Sequence, residues 1–237
     1  MIVFTDLDNC MLDSRYSASV LRDFIRGLTN KGIELSVISS KTEKEILYHL
    51  GELGIKASYG AENGCLVVVG GNRYELGTKS KVIKEVLRDS FKKFEVDIEL
   101  LSEMSDKEIG KITNLPEHLI PLARERFFSE PFRIVSGDSR GFLEGLNSRG
   151  YSIRWGGKFY QISRGCSKGR AVRLIREYTS EYAIGIGDSE NDYPMLDECD
   201  YPIILNSNND SRYRNYKQYG PKVWEKAVRK AIEEING

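Results

Sequence analysis

The stretch Ile2-Val3-Phe4-Thr5-Asp6-Leu7-Asp8-Asn9 opens with apolar, β-favouring side chains and breaks into two carboxylates two positions apart. Branched and aromatic residues in so short a run predict a strand over Ile2–Thr5, and the acidic pair then sits at its carboxyl end. In an open parallel sheet, that is the edge where ligands bind. An Asp-rich turn that does no more than close a strand has the same local appearance. The decision rests on whether the rest of the chain builds a parallel sheet and brings further polar groups to the same edge.

Beyond Asn9 the pattern alternates. Val20, Leu21, Phe24, Ile25 and Leu28 recur at helical spacing, and Ile33–Ser39 follows as a second strand. Gly32 supplies a left-handed cap between them, Thr42 with Glu45 forms a capping box that starts the next helix, and Gly54 closes it. The same alternation returns late in the chain. There Lys168–Tyr178 reads as helix, Tyr182–Ile186 as strand, Asn191–Glu198 as a short helix and Tyr201–Leu205 as strand. An amphipathic helix with Val223, Val228 and Ile232 on one face ends the pattern. Strands and helices in such alternation predict a parallel sheet covered by helices. Between the two blocks the sequence predicts two or three helices, an isolated strand around Phe132–Val135 and a hairpin turn at Trp155-Gly156-Gly157-Lys158. The expected organisation is an α/β, Rossmann-like core from residues 1–79 and 163–237, with an α+β cap domain inserted over residues 80–162.

Three further segments converge on the sheet edge that carries Asp6 and Asp8. Gly187-Asp188-Ser189-Glu190-Asn191-Asp192 follows another buried strand, so Asp188 also projects from a carboxyl end. Two acidic tips on one edge can share a cation, and oxygen-only ligation suits Mg²⁺. Ser39-Ser40-Lys41-Thr42 lies between strand and helix, where a hydroxyl and free backbone N–H groups make an anion site. Lys168 stands at the start of a helix, a place unfavourable for a cation unless an anion lies nearby. Neither G-x-x-x-x-G-K-[ST] nor G-x-G-x-x-G occurs at these turns, so neither ATP nor NAD is indicated.

Composition narrows the function class. The 237 residues suffice for a sizeable core plus a smaller domain, and 40% apolar with 30% charged residues excludes a disordered chain. Lys plus Arg equals Asp plus Glu at 35 each, which points away from nucleic acid and anionic membranes and toward a small-molecule partner. The start lacks the basic and long apolar runs of a signal peptide, and no stretch reaches membrane-spanning length. Cys10, Cys65, Cys166 and Cys199 are widely spaced without a C-x-x-C pair, which predicts neither a zinc site nor a disulfide framework and fits a reducing cytoplasm. None opens a C-x-x-x-x-x-R loop, and His49 and His118 are the only histidines. A monomer or homodimer is expected.

Asp6-x-Asp8, the serine after the second strand, Lys168 and Gly187-Asp188-x-x-Asn191-Asp192 resemble, in this order, the motifs of the haloacid-dehalogenase superfamily. The resemblance spans the chain. Its long cap and Glu62-Asn63-Gly64 look like the branch that acts on sugar phosphates. Ser39-Ser40-Lys41-Thr42, Leu115-Pro116, Ala123-Arg124-Glu125-Arg126, Ser129-Glu130-Pro131-Phe132, Phe159-Tyr160 and Lys168-Gly169 resemble members that use mannosyl-3-phosphoglycerate. One departure is Asn9-Cys10, where the superfamily usually has Gly-Thr.

The resemblance implies a Mg²⁺-dependent phosphatase in which Asp6 is the nucleophile and Asp8 the general acid and base. Asp6, the Asp8 carbonyl and Asp188 would hold the metal, with Asn191 and Asp192 anchoring its waters. Ser39, the Ser40 amide and Lys168 would bind the phosphate. The implied substrate is 2-O-mannosyl-3-phosphoglycerate, with glucosyl-3-phosphoglycerate or another sugar phosphate as alternatives, and a phosphomutase as the alternative reaction. Arg126 and Lys158 would meet the glycerate charge, and Glu130 the sugar hydroxyls.

Overall fold

The computed structural model describes residues 1–206 and 210–237. The first segment supplies strands β1 (Ile2–Thr5), β2 (Glu34–Ile38), β3 (Ser58–Ala61), β4 (Leu66–Val69) and β5 (Asn72–Glu75), with helices α1 (Arg22–Asn30) and α2 (Glu43–Leu53). The middle segment supplies α3 (Ser80–Phe94), β6 (Asp97–Leu100), α4 (Asp106–Thr113), α5 (Ile120–Arg124), β7 (Ser129–Ser136), α6 (Ser139–Ser148), β8 (Ser152–Trp155) and β9 (Tyr160–Ser163). The last supplies α7 (Lys168–Thr179), β10 (Ala183–Gly187), α8 (Tyr193–Leu196), β11 (Tyr201–Leu205), β12 (Arg214–Tyr216) and α9 (Pro221–Asn236). Two compact units result, Met1–Tyr74 with Ser167–Gly237, and Glu75–Cys166. The divisions fall at 74/75 and 166/167, beside the expected 79/80 and 162/163.

The first unit is built on an eight-stranded sheet in the order β12-β11-β10-β1-β2-β3-β4-β5. From β12 to β3 the neighbours pair in parallel, and β4 returns antiparallel to β3. Ile2, Val3 and Phe4 of the central strand are fully buried, as a parallel strand covered on both faces requires. Each such apolar side chain contributes about 1.5–3 kcal/mol by leaving water. The predicted caps are present: the Thr42 hydroxyl accepts the Glu45 N–H at 3.2 Å while Glu45 accepts the Thr42 N–H at 2.9 Å. Gly54 ends α2 at φ 69°. The chain leaves β1 through α1 to β2 on one side, whereas β10 continues through α8 to β11 on the other, so β1 and β10 flank the point where connectivity reverses. Ligands bind outside the carboxyl ends of strands at that point.

The second unit packs α3 and α6 on a four-stranded antiparallel sheet, β6-β7-β9-β8, around Ile83, Leu87, Phe132, Phe142, Leu146 and Ile162. The expected isolated strand at Phe132–Val135 is instead part of β7, eight residues long and paired on both sides. Its partners β6 and β9 are four residues each, too short for a clear period-2 signal. Four helices stand where two or three were expected, α5 being a five-residue turn.

The cysteines require a second correction. Cys65 and Cys166 are disulfide-bonded, and Cys10 and Cys199 are free. Wide spacing therefore did not exclude a disulfide, and cysteine usage no longer argues for a reducing compartment. Among the described residues no helix is long and apolar enough to cross a membrane.

Candidate active site

Strand register brings the acidic tips together. Thr5 pairs with Ile186 across β1 and β10, and with Val37 across β1 and β2. The ladder extends one step further, because the Asp6 N–H donates to the Ile186 carbonyl at 3.0 Å. Asp188 lies two residues beyond Ile186 and Ser39 two beyond Val37, so all three segments emerge side by side. Trp224 of α9 braces the end of β1: its indole N–H donates to the Thr5 hydroxyl at 2.8 Å, which in turn donates to the Asp6 carbonyl at 2.8 Å. A tight turn over Leu7–Met11 follows, closed by the Leu12 N–H on the Leu7 carbonyl at 3.0 Å.

At the centre Lys168 is buried between two carboxylates, with Nζ 2.6 Å from Asp192 Oδ1 and 3.2 Å from Asp6 Oδ2. Glycines permit this approach. A Cβ at Gly169 would lie 2.2 Å from the Pro194 carbonyl oxygen, and one at Gly187 would lie 2.3 Å from the Asp192 Cβ. Asp192 is committed on both oxygens, since Oδ2 accepts the Asp188 N–H at 2.9 Å and the Ser189 N–H at 3.1 Å. Asp6 Oδ1, by contrast, is buried without a hydrogen-bond partner. Burial raises the Asp6 carboxyl to about 6, with Lys168 opposing and Asp192 and Asp8 reinforcing the shift. Burial and the charges of Asp192 and Asp6 lift Asp188 to about 8. Lys168 is held charged, the attraction of Asp192 and Asp6 outweighing its desolvation.

The carboxylates of Asp6, Asp188 and Asp192 each offer an oxygen within 4.8 Å of the others. Such an all-oxygen set suits a hard divalent cation, and the orphaned Asp6 Oδ1 is the donor such an ion would satisfy. Asp192 has less to offer than the other two, because Lys168 and its own loop already use it.

Ser39, Ser40 and Lys41 lie in the turn between β2 and α2. Ser39 is fully buried and its hydroxyl accepts the Lys41 N–H at 3.4 Å; Ser40 is half-buried ahead of α2. Lys41, read in the sequence only as part of a motif, is buried with Nζ 3.0 Å from Asp8 Oδ1 and 3.6 Å from Glu45 Oε1. Glu62-Asn63-Gly64 was likewise only a motif. Its three residues all lie at positive φ, and the Glu62 and Asn63 N–H groups donate to the Lys41 and Ser39 carbonyls at 2.8 Å. Consecutive left-handed non-glycine residues are a conformation that persists only where the surroundings hold it. Asn191, expected beside the metal, donates its side-chain amide to Asn63 Oδ1 at 2.9 Å. Nothing local in the sequence signals these pairings; the run of Asn and Gly at 63–64 was the one available hint of a constrained turn.

In the second unit, Arg126 is half-buried and donates to the Ala123 carbonyl at 3.2 Å and the Ser129 hydroxyl at 3.1 Å. Glu130 is 1% exposed, accepts the Ser102 N–H at 3.0 Å and is raised by burial. Its carboxylate is therefore occupied inside the unit. Lys158 is exposed in the β8–β9 turn and, with Arg133, Trp155 and Tyr160, lines an open cavity of about 580 Å³.

A glucosyl-3-phosphoglycerate/mannosyl-3-phosphoglycerate phosphatase of Persephonella marina is 33% identical, covering 99% of this chain and 98% of that one. A mannosyl-3-phosphoglycerate phosphatase of Pyrococcus furiosus is 29% identical over 90% of this chain and 93% of its own. The fold is shared with a Thermoplasma acidophilum protein at TM-score 0.75 and 20% identity, covering 98% and 97% of the two chains. It is shared equally with a phosphatase from Bacteroides thetaiotaomicron at TM-score 0.72 and 16% identity, covering 99% and 94%. The model of haloacid dehalogenase-like hydrolases matches residues 3–126 and 141–232, most of the chain including every element that meets at Asp6, and the protein belongs to that family.

Proposed function

We propose that this protein hydrolyses the phosphomonoester of 2-O-mannosyl-3-phosphoglycerate through a phosphorylated Asp6, with the glucosyl analogue as a second substrate. The observation that carries the reading is the state of Asp6: buried, one oxygen held by Lys168 at 3.2 Å and the other without a partner. Such a carboxylate is shielded from water and has a lone pair uncommitted. The substrate class rests on the activities for which relatives aligned over nearly their full length are named.

In the first step, an Asp6 oxygen attacks phosphorus as the ester P–O bond breaks, and Asp8 gives its proton to the leaving alkoxide. In the second, Asp8 takes a proton from water, the water oxygen attacks phosphorus, and Asp6 leaves as carboxylate with release of inorganic phosphate. Lys168, the Ser39 hydroxyl and the Ser40 amide offset charge on the transferring oxygens. Mg²⁺, held by Asp6, the Asp8 carbonyl and Asp188 with Asn191 and Asp192 behind them, would offset repulsion between carboxylate and phosphate when bound. Lys158, exposed and cationic, is our candidate for the glycerate carboxylate; Arg126 is a second.

Phosphate release should be measured with Mg²⁺ on mannosyl-3-phosphoglycerate, glucosyl-3-phosphoglycerate, mannose 6-phosphate and 3-phosphoglycerate. Turnover is expected on the first two. Release from mannose 6-phosphate alone would discard the substrate assignment and keep the mechanism. Transfer to a sugar without net release would replace hydrolase by mutase.

A further inference from the structure

We propose that Asn9 is a positioning residue for the cation: its side-chain amide fixes the Asp188 carboxylate, leaving Asp188 Oδ1 to the ion. The proposal rests on the metal reading above and concerns a residue to which that reading gives no role.

Asn9 Nδ2 donates to Asp188 Oδ2 at 2.9 Å, joining the turn after β1 to the loop after β10. Among the described residues it is the one side chain that hydrogen-bonds this carboxylate. Lys168, the nearby cation, is engaged by Asp192 and Asp6 instead. Asp188 thus has one donor to set its orientation against two neighbouring carboxylates.

The donor is itself held. Asn9 adopts φ 56°, a left-handed conformation that asparagine tolerates better than most residues and glycine better still. Its carbonyl accepts the Gly220 N–H at 2.7 Å, tying the turn to the start of α9. Side chain and backbone therefore pin Asn9 to two separate elements, and a ligand supported in this way meets a metal with its orientation already fixed.

Glycine keeps the backbone and removes only the amide, so Asn9→Gly is the informative variant. Mn²⁺ binding to the full chain, followed by the electron paramagnetic resonance of the free ion without substrate, reads the site independently of turnover. Removing an outer hydrogen bond to a ligand costs 10- to 100-fold in affinity. Because Asn9 is solvent-exposed, about tenfold weaker binding is expected, the low end of that range. The melting temperature in EDTA should stay unchanged, and Asp188→Ala should abolish binding. An unchanged Kd in Asn9→Gly overturns the proposal, as does a wild-type protein that binds no Mn²⁺. A weakened Kd in a protein that releases phosphate from no substrate sustains the proposal and overturns the phosphatase reading alone.

Discussion

The two units treat buried charge in opposite ways. Among the described residues the first buries Asp6, Lys41, Glu45, Glu62, Lys168 and Asp192, whereas the second buries Glu130. The second closes around aromatic and aliphatic side chains such as Phe132 and Phe142, whose rings meet edge to face at 5.9 Å. Charge taken out of water is expensive even when paired, and apolar replacements of equal volume are often no less stable. A unit that needed only to fold would be built like the second. The concentration of ion pairs at one edge of the first is a cost borne for chemistry.

The largest expected effect tests this directly. Asp6→Asn keeps shape and removes the proposed nucleophile, and phosphate release should fall by a factor on the order of 10³ or more while the fold persists. A variant retaining turnover would mean that the buried cluster serves structure after all.

Lys168→Met comes next. It strands Asp6 and Asp192 in the interior, which should lower the unfolding free energy by about 3–5 kcal/mol in urea titration. Lys168→Met with Asp192→Asn should recover much of that loss without recovering activity. Recovery of both would erase the distinction between the units, because the pair would then be replaceable by neutral groups.

The third effect is a pH dependence. Asp6 at about 6 and Asp188 at about 8 are both raised above the ordinary carboxyl range. In metal-free protein their contribution to stability is fully present below about pH 3.9 and lost progressively as pH rises through those folded values. A divalent cation requires the ionised forms. The thermal stabilisation by Mg²⁺ should therefore grow as pH rises from about 5 to 8, reaching about 2.7 kcal/mol at a hundredfold excess over Kd. Stabilisation independent of pH would place the ion elsewhere.

Glu130→Gln should have the smallest effect. Glu130 is raised by burial and accepts a backbone N–H that an amide oxygen can also accept. A change in stability within about 1 kcal/mol is expected, together with unaltered phosphate release. A large fall in kcat/KM would show that the second unit, too, buries charge for function.

What was legible in the sequence was local. The capping box at Thr42 and Glu45, the left-handed glycine at 54 and the strand Ile2–Thr5 each depend on neighbours a few positions away. That Asp6, Asp188 and Lys168 come together was also legible, because each lies at the end of a regular element and parallel connectivity directs those ends to one edge. Lys41 was passed over: a lysine in a serine-rich turn is ordinarily solvated, and its burial against Asp8 follows from the turn of Leu7–Met11.

By itself, then, the sequence determined the alternation of elements, their caps and the chemical groups available at one sheet edge, since these follow from short-range backbone preferences and the period of apolar side chains. Only the tertiary structure decided the strands flanking β7, the pairing of Asn191 with Asn63 and the hold of Asn9 on Asp188. Such pairings join residues far apart in the chain, and their partners are selected by register and close packing, to which no local pattern corresponds.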